Sequence, residues 1–343
     1  MIDWLAAVRD DQPAVLVTVA IVEGSGPRAA GAHMLVTAGD QCDTIGGGHL
    51  EQRAVDIARD MLRTGAGVRL ERFALGPTLG QCCGGVVHLA FEAVDGALLT
   101  VLRTLAQRRR LDSWRISAID GAASTGLYET DGAALAGADA EAPRLGRRRL
   151  QTHVVQDSAG RRWLLDYCPA PRAHLTLFGA GHVGAAIVRA LADLPCHVTW
   201  VDERDDLFPA SVPANVTVEA SDTPEALVAS APAGGSFLVM THSHALDQRL
   251  SEAILRRPDA GWFGLIGSHT KRTQFERRLQ TRGIDSARIA AMVCPIGLAG
   301  ISNKAPAAIA ASVTCQLLMV WEAAEAAAAS APPLRLVSAT GRS

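Results

Sequence analysis

Short apolar runs separated by glycine-rich turns mark the first half of the chain. Residues 15–22 predict a buried strand, and residues 34–36 predict its neighbour across a turn at 24–28. A helical pattern follows at about 49–62. Residues 87–92 alternate apolar positions with polar or small ones, which predicts a strand with one buried face. The first half therefore mixes β-rich runs with helical stretches.

From residue 174 onward, apolar strands alternate with amphipathic helices. Strands are predicted at 175–178, 197–201, 236–240 and 261–266, and helices at 185–194, 223–230, 245–257 and 270–282. Such alternation is typical of a doubly wound parallel sheet. The predicted fold class is α/β, with an N-terminal α+β domain followed by a C-terminal Rossmann-like doubly wound parallel sheet.

A proline pair lies where the pattern changes. Pro169 and Pro171 can continue neither a helix nor a central strand, which favours a linker. The predicted organisation is an N-terminal domain at 1–167, a linker at 168–173, a Rossmann-like domain at 174–330 and a tail at 331–343. The apolar stretch 305–321 predicts a buried, alanine-rich closing helix rather than a membrane span, because Pro306 interrupts it and Glu322 and Glu325 continue it.

Charge and cysteine usage exclude several classes of protein. The formal net charge is −2 and the pI is about 6.6, so the overall balance favours neither nucleic acid nor an anionic membrane as a partner. The first residues lack the basic segment of a secretory leader. Seven cysteines scattered over 343 residues do not form the dense, even framework of a small secreted domain. We therefore expect a cytoplasmic protein.

Two adjacent cysteines, Cys82 and Cys83, stand among glycines. Neighbouring Cα atoms lie about 3.8 Å apart, below the usual floor of about 4.4 Å for disulfide partners, so a structural bridge between them would be strained. Flanking glycines expose the backbone and the thiols to a large ligand. This pattern favours a thiol site, and the alternative is that both cysteines are small buried apolar residues.

A first glycine cluster, Gly46, Gly47 and Gly48, leads into the helical pattern at 49–62. Glycines before a helix leave backbone N–H groups that can face an anion. The alternative interpretation is a tight turn between a strand and a helix.

A second cluster carries the dinucleotide-binding fingerprint. Gly179, Gly181 and Gly184 form a G-x-G-x-x-G turn between a strand and a helix, and Asp202 ends the next strand. Strand, glycine turn, helix, strand and acid are in the order of a nucleotide site. Either this turn contacts a nucleotide or a pterin nucleotide, or it is a scaffold without a ligand.

Histidines follow the third predicted strand of this sheet. His242 and His244, with Asp247, lie at the carboxyl edge where open α/β sheets bind ligands. As a metal site the H-x-H-x-x-D pattern is incomplete. The histidines contact a ligand in one interpretation and end a strand with satisfied polar groups in the other.

Taken together, these segments resemble the XdhC family of accessory proteins, which mature the molybdenum cofactor of xanthine dehydrogenase. The matching segments follow the family order over most of the chain, at residues 23–28, 31–36, 44–51, 79–85, 178–184, 241–247, 264–268 and 295–298. The chain departs from the family pattern at 299–306, where an aspartate and acidic residues are more usual.

The resemblance implies a chaperone that binds molybdenum cofactor (molybdopterin) as cargo, holds it while a cysteine desulfurase sulfurates it, and delivers it to the molybdenum subunit of apo-xanthine dehydrogenase. Either Cys82 or Cys83 would contact the molybdenum, and the two glycine turns suit a pterin phosphate. We also expect a homodimer. NAD(P) binding is compatible with the fingerprint, but the implied role does not need it.

The sequence is also compatible with two rival functions. An NAD(P)-dependent oxidoreductase would use Gly179, Gly181, Gly184 and Asp202 for its cofactor, yet no dehydrogenase proton donor accompanies them. A thiol-dependent redox sensor would use Cys82 and Cys83 but would not need the second domain. We therefore expect an accessory factor rather than an enzyme.

Overall fold

A computed structural model describes residues 4–76, 84–137, 139, 141–145 and 150–330. The chain divides into two compact units, Met1–Ala170 and Pro171–Ser343. The connection between their nearest strands is short, because one strand ends at Cys168 and the next begins at Ala173. The outer residues of the predicted linker 168–173 are therefore strand residues.

The first unit begins with a five-stranded antiparallel sheet in the order β3-β2-β1-β5-β4. Its strands are β1 Ala14–Glu23, β2 His33–Thr37, β3 Gln41–Asp43, β4 Val68–Ala74 and β5 Val86–Ala93. Helix α1 (Gly48–Thr64) packs on one face and buries Leu50, Ala54 and Met61 against the strands. The strands predicted at 15–22 and 34–36 and the helix predicted at 49–62 are confirmed.

A second antiparallel sheet, in the order β8-β7-β6-β10-β9, covers the opposite face. Its elements are β6 Ser113–Ala118, β7 Thr125–Tyr128, β8 Ala134–Ala136, β9 His153–Gln156 and β10 Arg162–Cys168, with α2 at Gly96–Gln107. Ala20 and Ala90 of the first sheet pack against Ile119 and Leu164 of the second part. The prediction of a single buried face at 87–92 is wrong, because the second sheet also buries Ala90 and Glu92.

Charged groups lie between these two sheets. The Arg115 side chain is fully buried and donates to Glu92 at 2.6 Å and to Asp166 at 3.0 Å, and His33 Nε2 lies 2.8 Å from the same Asp166 oxygen. Burial opposes the charge, yet His33 and Arg115 lower the pKa of Asp166 to about 2. The interface between the sheets is thus held by paired charges as well as by apolar contacts.

The second unit contains a five-stranded parallel sheet in the order β13-β12-β11-β14-β15. Its strands are β11 Ala173–Phe178, β12 Cys196–Asp202, β13 Val216–Ala220, β14 Ser236–Val239 and β15 Trp262–Leu265. Helices α3 His182–Ala190, α4 Pro224–Ser230, α5 His244–Arg256, α6 His269–Thr281 and α7 Ser286–Ala291 accompany them. Separate apolar clusters contain Trp200 with Leu238 and Phe237 with Phe263. The predicted α/β class is confirmed.

Helix α8 (Pro306–Ser330) closes the second unit. Ala310, Val313, Leu317 and Trp321 form a buried stripe that packs with residues of the parallel sheet and α3, while Met319 is 64% exposed. Within the described chain, its segment Pro306–Ala327 is the one stretch long and apolar enough to cross a membrane by length and composition, and the span tested is 33% buried. The buried stripe is the packing expected of a closing helix.

Candidate functional site

The carboxyl edge of the parallel sheet carries the glycine turn between β11 and α3. Gly179 has φ +122°, and a Cβ there would lie 2.4 Å from the Met240 carbonyl oxygen. A Cβ at Gly184 would lie 2.1 Å from the Gly179 carbonyl oxygen. Internal packing therefore requires glycine at both positions, whether or not a ligand binds.

Gly181 differs from Gly179 and Gly184 in the space around it. It is the N-cap of α3, its φ is −71°, and no side chain caps the helix. A Cβ at this position would meet nothing within 4 Å. Because packing and backbone conformation would both tolerate a side chain, the open space remains available to a ligand. The first-turn N–H groups and the positive end of the helix dipole favour an anion there.

The acid of the dinucleotide-binding fingerprint, Asp202, accepts its hydrogen bonds from other groups of the protein. Asp202 accepts from the Ala180 amide at 2.7 Å and, with both carboxylate oxygens, from Arg204 at 2.9 and 3.1 Å; a fourth bond comes from the Arg204 amide at 3.0 Å. Burial opposes the charge, but these hydrogen bonds lower the pKa of Asp202. Four bonds fill the accepting capacity of one carboxylate.

The three residues predicted to form a site after β14 differ in their exposure to solvent. His242 and His244 are exposed, whereas Asp247 is fully buried and accepts from the Thr241 amide and hydroxyl at 3.0 and 2.7 Å. Among the described residues no three His, Cys, Asp or Glu side chains lie together as a metal site would require. His242 lines a cavity at this edge with Gly179 and Asp202.

A lysine that the sequence reasoning missed pairs with Asp247. Lys271 Nζ lies 2.6 Å from Asp247 Oδ2 and donates to the Ile266 carbonyl at 2.8 Å, so it joins the first turn of α5 to the turn after β15. A Cβ at Gly267 would lie 2.6 Å from Lys271 Cδ. The Gly-Ser pair at 267–268 was the available signal, because that glycine makes room for the lysine stem.

The first glycine turn already holds a carboxylate. Glu51 Oε2, from the first turn of α1, accepts from the Ile45 and Gly47 amides at 3.1 Å each and from the Thr44 hydroxyl. Gly46, Gly47 and Gly48 all have positive φ, at 124°, 75° and 65°. An external anion would compete with Glu51 for these amides, so the predicted ligand contact of the three glycines stays a prediction.

Three segments of the first unit meet at Pro27, Gly46 and Gly85. A Cβ at Gly46 would lie 2.5 Å from Pro27 Cβ, and a Cβ at Gly85 would lie 2.5 Å from the carbonyl oxygens of Glu23 and Ser25. The Gly85 amide also donates to the Ser25 carbonyl at 3.2 Å. Cys82 and Cys83 lie outside the described residues, and Gly85, two residues after Cys83, belongs to this meeting point.

Fold and edge together define a protein with a Rossmann-type unit and a two-sheet unit. The model of the XdhC Rossmann domain matches residues 175–317, and the model of the XdhC and CoxI family matches residues 7–74. These matches cover more than half of the chain. The chain belongs to the XdhC family, as the resemblance indicated.

Two individual proteins show similarity. YqeB of Escherichia coli strain K12, described as uncharacterized, is 28% identical over 183 residues, which are 52% of this chain and 34% of YqeB. The match thus spans about a third of that relative's length. A crystal structure from Bacillus halodurans, described as a xanthine dehydrogenase, has a TM-score of 0.72 and 22% identity over 96% of each chain, and it shows the shared fold.

The XdhC family is a family of accessory factors.

Proposed function

We propose that this protein binds molybdenum cofactor, holds it for sulfuration by a cysteine desulfurase, and inserts it into xanthine dehydrogenase. The observation that carries the proposal is the open turn at Gly181 inside the matched XdhC Rossmann domain. This turn offers an anion site, and neither packing nor backbone conformation requires a glycine at this position. A pterin phosphate is an anion of suitable size for the first turn of a helix.

The metal end of the cargo needs a different kind of group. Its molybdenum is bonded to dithiolene sulfur and is soft, and thiolate is the softest side-chain ligand available to a protein. Cys82 and Cys83 are candidates by sequence, and glycines on both sides would admit a bulky ligand. One of the two thiolates would hold the molybdenum of the cargo.

A carrier binds without turnover, and the carboxyl edge supports that role. Asp202 is occupied by Arg204 and Ala180, and Asp247 by Lys271 and Thr241. Neither carboxylate is poised as a free general base. These two carboxylates are therefore better suited to holding the edge in place than to moving protons of a ligand.

One observation favours the rival function of an NAD(P)-dependent oxidoreductase. The turn Gly179–Gly184 and Asp202 reproduce the order of an NAD(P) site, and an oxidoreductase could use them. To accept ribose hydroxyls, however, Asp202 would first have to release Arg204. A steady-state screen of the purified protein for substrate-dependent NAD(P)H oxidation tests this function directly.

The deciding experiment is maturation of the recipient. Xanthine dehydrogenase is produced with and without this protein, and its activity and sulfurated fraction are measured. Cys82→Ser, Cys83→Ser and the double variant are compared with Cys315→Ser, which alters an exposed cysteine on α8. We expect lost cofactor retention in at least one of the first three and normal retention in the control.

Fully active, sulfurated recipient made without this protein would remove the maturation proposal. Unchanged cofactor retention in the double cysteine variant would remove the thiol assignment alone. Gel filtration of the free and loaded protein tests the expected homodimer in the same preparations.

A further inference from the structure

Helix α8 has an apolar side that the rest of the described chain leaves uncovered. Ala307, Ala311, Cys315 and Met319 follow one another at intervals of four residues and are all exposed, Met319 by 64%. Residues at that spacing lie on one face of a helix, and we call these four the outer stripe. The buried stripe that closes the second unit lies on the other side of the same helix.

The outer stripe carries no charge. From Ala305 to Trp321 the sequence contains no Asp, Glu, Lys or Arg. A partner with charged groups would have to give up their hydration against this surface with nothing to pair them. Exposed contiguous apolar faces mark sites of association. The partner that fits is therefore another neutral, apolar surface.

A lipid surface is one apolar candidate, and the charges beside the stripe disfavour it. Helices that lie on membranes carry several Lys or Arg side chains next to the apolar face. Here the charged residues that follow the stripe are Glu322 and Glu325, and Lys304 alone precedes it closely. Anionic headgroups would be repelled by the two carboxylates. We therefore favour a protein partner.

The charges at the two ends of the stripe are opposite in sign. Lys304 lies two residues before the first residue of α8, Glu322 follows Met319 by three residues, and both are exposed. Neither side chain forms an ion pair within the part of the chain that the structure describes. The stripe thus has a positive end and a negative end, which a second copy of the same helix in reversed orientation would match.

One two-fold axis brings all of these groups opposite a complement. In an antiparallel pair of α8 helices, three facing pairs share one midpoint, position 313: Lys304 with Glu322, Ala307 with Met319, and Ala311 with Cys315. The symmetry makes each contact twice. In two of the pairs a small alanine faces a larger side chain, which lets the two surfaces interdigitate, and antiparallel helix dipoles attract each other.

We propose that the outer stripe of α8 is the contact between two copies of this chain, packed antiparallel, with Lys304 of each copy beside Glu322 of the other. One pair of helices buries less than a standard protein interface, so the dimer should dissociate at micromolar concentration. The assignment concerns the protein without its cargo and is independent of the proposed function.

Sedimentation velocity of the purified full chain over about 1–100 μM measures the association. Ala311→Glu places a carboxylate from each copy into the apolar contact near the axis, and it should weaken the dimer at least about tenfold. Ala324→Glu is the control, because Ala324 is exposed and follows Leu317 and Trp321 on the other side of the helix. Thermal unfolding should be alike in the two variants, since both positions are exposed.

An exchange of charges tests the register. Lys304→Glu and Glu322→Lys each place like charges opposite each other at both ends of the contact, and each should weaken the dimer about threefold or more. The double variant restores both pairs with their signs reversed and should regain the affinity of the wild type. A loss caused only by a local change at either residue would not be rescued in this way.

A disulfide tests the same register at the centre. Ala311→Cys adds a thiol opposite Cys315 of the other copy, so oxidation with diamide, which takes up the two thiol hydrogens, should link the copies by an S–S bond. Cys315→Ser in the same variant should abolish the link. By itself Cys315→Ser should leave the dimer intact, because serine is close to cysteine in size.

A wild-type chain that stays monomeric up to about 100 μM, equal effects of Ala311→Glu and Ala324→Glu, or a double charge variant as weak as the single ones would each overturn the assignment. Flotation of a monomeric chain with phosphatidylglycerol vesicles, lost in Ala311→Glu, would give the stripe to a membrane and overturn it as well. None of these measurements involves cofactor retention, so the proposed function stands or fails separately.

Discussion

Two glycine-rich turns in this chain lead into a helix, and they differ in what faces their backbone N–H groups. Both helices have a glycine N-cap, Gly47 for α1 and Gly181 for α3, and neither glycine has a side chain of its own that could cap the helix. In the first turn, the Glu51 carboxylate accepts from the amides of Ile45 and Gly47. The second turn has open space at Gly181.

The two turns differ at the fourth residue of the helix that follows each of them. Glu51 is the fourth residue of α1, whereas Ala185, the fourth residue of α3, has no group that could reach back to the turn. Glycines before a helix make N–H groups accessible, but the neighbouring side chains decide whether the anion comes from the protein or from a ligand. The first turn is stabilised by its own carboxylate, and the second is the better ligand site.

The largest expected effect is that of Gly184→Ala. The new Cβ would lie 2.1 Å from the Gly179 carbonyl oxygen, and neither backbone segment can move without disturbing β11 or α3. We expect the Rossmann unit to lose about 3 kcal/mol or more of unfolding free energy. Denaturant unfolding followed by tryptophan fluorescence measures the loss. A loss below about 0.5 kcal/mol would contradict the packing role assigned to this glycine.

Glu51→Ala should have the next largest effect. It removes a charged acceptor from the buried Ile45 and from Gly47, at a cost of about 2 kcal/mol. Inorganic phosphate should then stabilise the variant more than the wild type in thermal unfolding, because an external anion can replace the carboxylate. Gln52→Ala, an exposed neighbour on α1, is the control. Equal phosphate effects in Glu51→Ala and the wild type would show that the first turn is no anion site.

Much of the parallel sheet was predictable because its signals are local. The runs around Leu177 and Val201 and the glycines between them lie within a short stretch of chain, and their order defines the connection. Strand β13 was missed because its residues are mostly half-buried and mix polar with apolar side chains, as at an edge. Local pattern therefore gave the central strands and not this outer one.

The second sheet of the first unit was not predictable in the same way. Its central strand β6 contains Ser113, Arg115 and Ser117, which read as a polar segment, yet all three are buried. Arg115 is tolerated there because Asp166, 51 residues away in sequence, and Glu92 supply the opposite charge. Pairing between distant residues leaves no periodicity that a single sequence could show.

Some features of the candidate site could likewise be predicted from the sequence, and others could not. Glycine positions and the acid at the end of β12 were predictable from spacing. The four bonds on Asp202, the inward turn of Asp247 toward Lys271 and the Glu51 carboxylate over the first turn depend on side-chain conformations. Sequence spacing places such residues near one another but does not decide which partner each one takes.

A smaller, pH-dependent effect is expected for Asp202→Asn. The carboxylate joins the end of β12 to the Ala180 amide and Arg204, and its loss should cost about 1.5 kcal/mol at neutral pH. Because the pKa of Asp202 is lowered in the folded state, this stability is present above the pKa of an unfolded aspartate, about 3.9, and is lost as the pH falls through the lower folded value. Urea unfolding at several pH values should give a constant difference from pH 5 to 8 that shrinks below about pH 4. A difference that grew on acidification would reverse the sign argued here.

The smallest effect on stability is expected for Gly181→Ala, which nonetheless decides whether the second turn binds a ligand. Its φ of −71° suits alanine and its Cβ would meet no atom within 4 Å, so the cost is confined to a poorer N-cap, within about 1 kcal/mol. The methyl group would stand where a phosphate approaches the N–H groups of α3, so affinity for molybdenum cofactor should fall at least about tenfold, since even a modest displacement of a charged hydrogen bond exceeds 1.4 kcal/mol. Gly96→Ala is the control, because Gly96 is the first residue of α2 and likewise has open space at its Cβ. Retention of bound cofactor after gel filtration is the measurement, alongside thermal unfolding of both variants. A stable Gly181→Ala protein with wild-type retention would mean that the second turn, although open, is a scaffold without a ligand. The difference between the two turns would then concern stability alone.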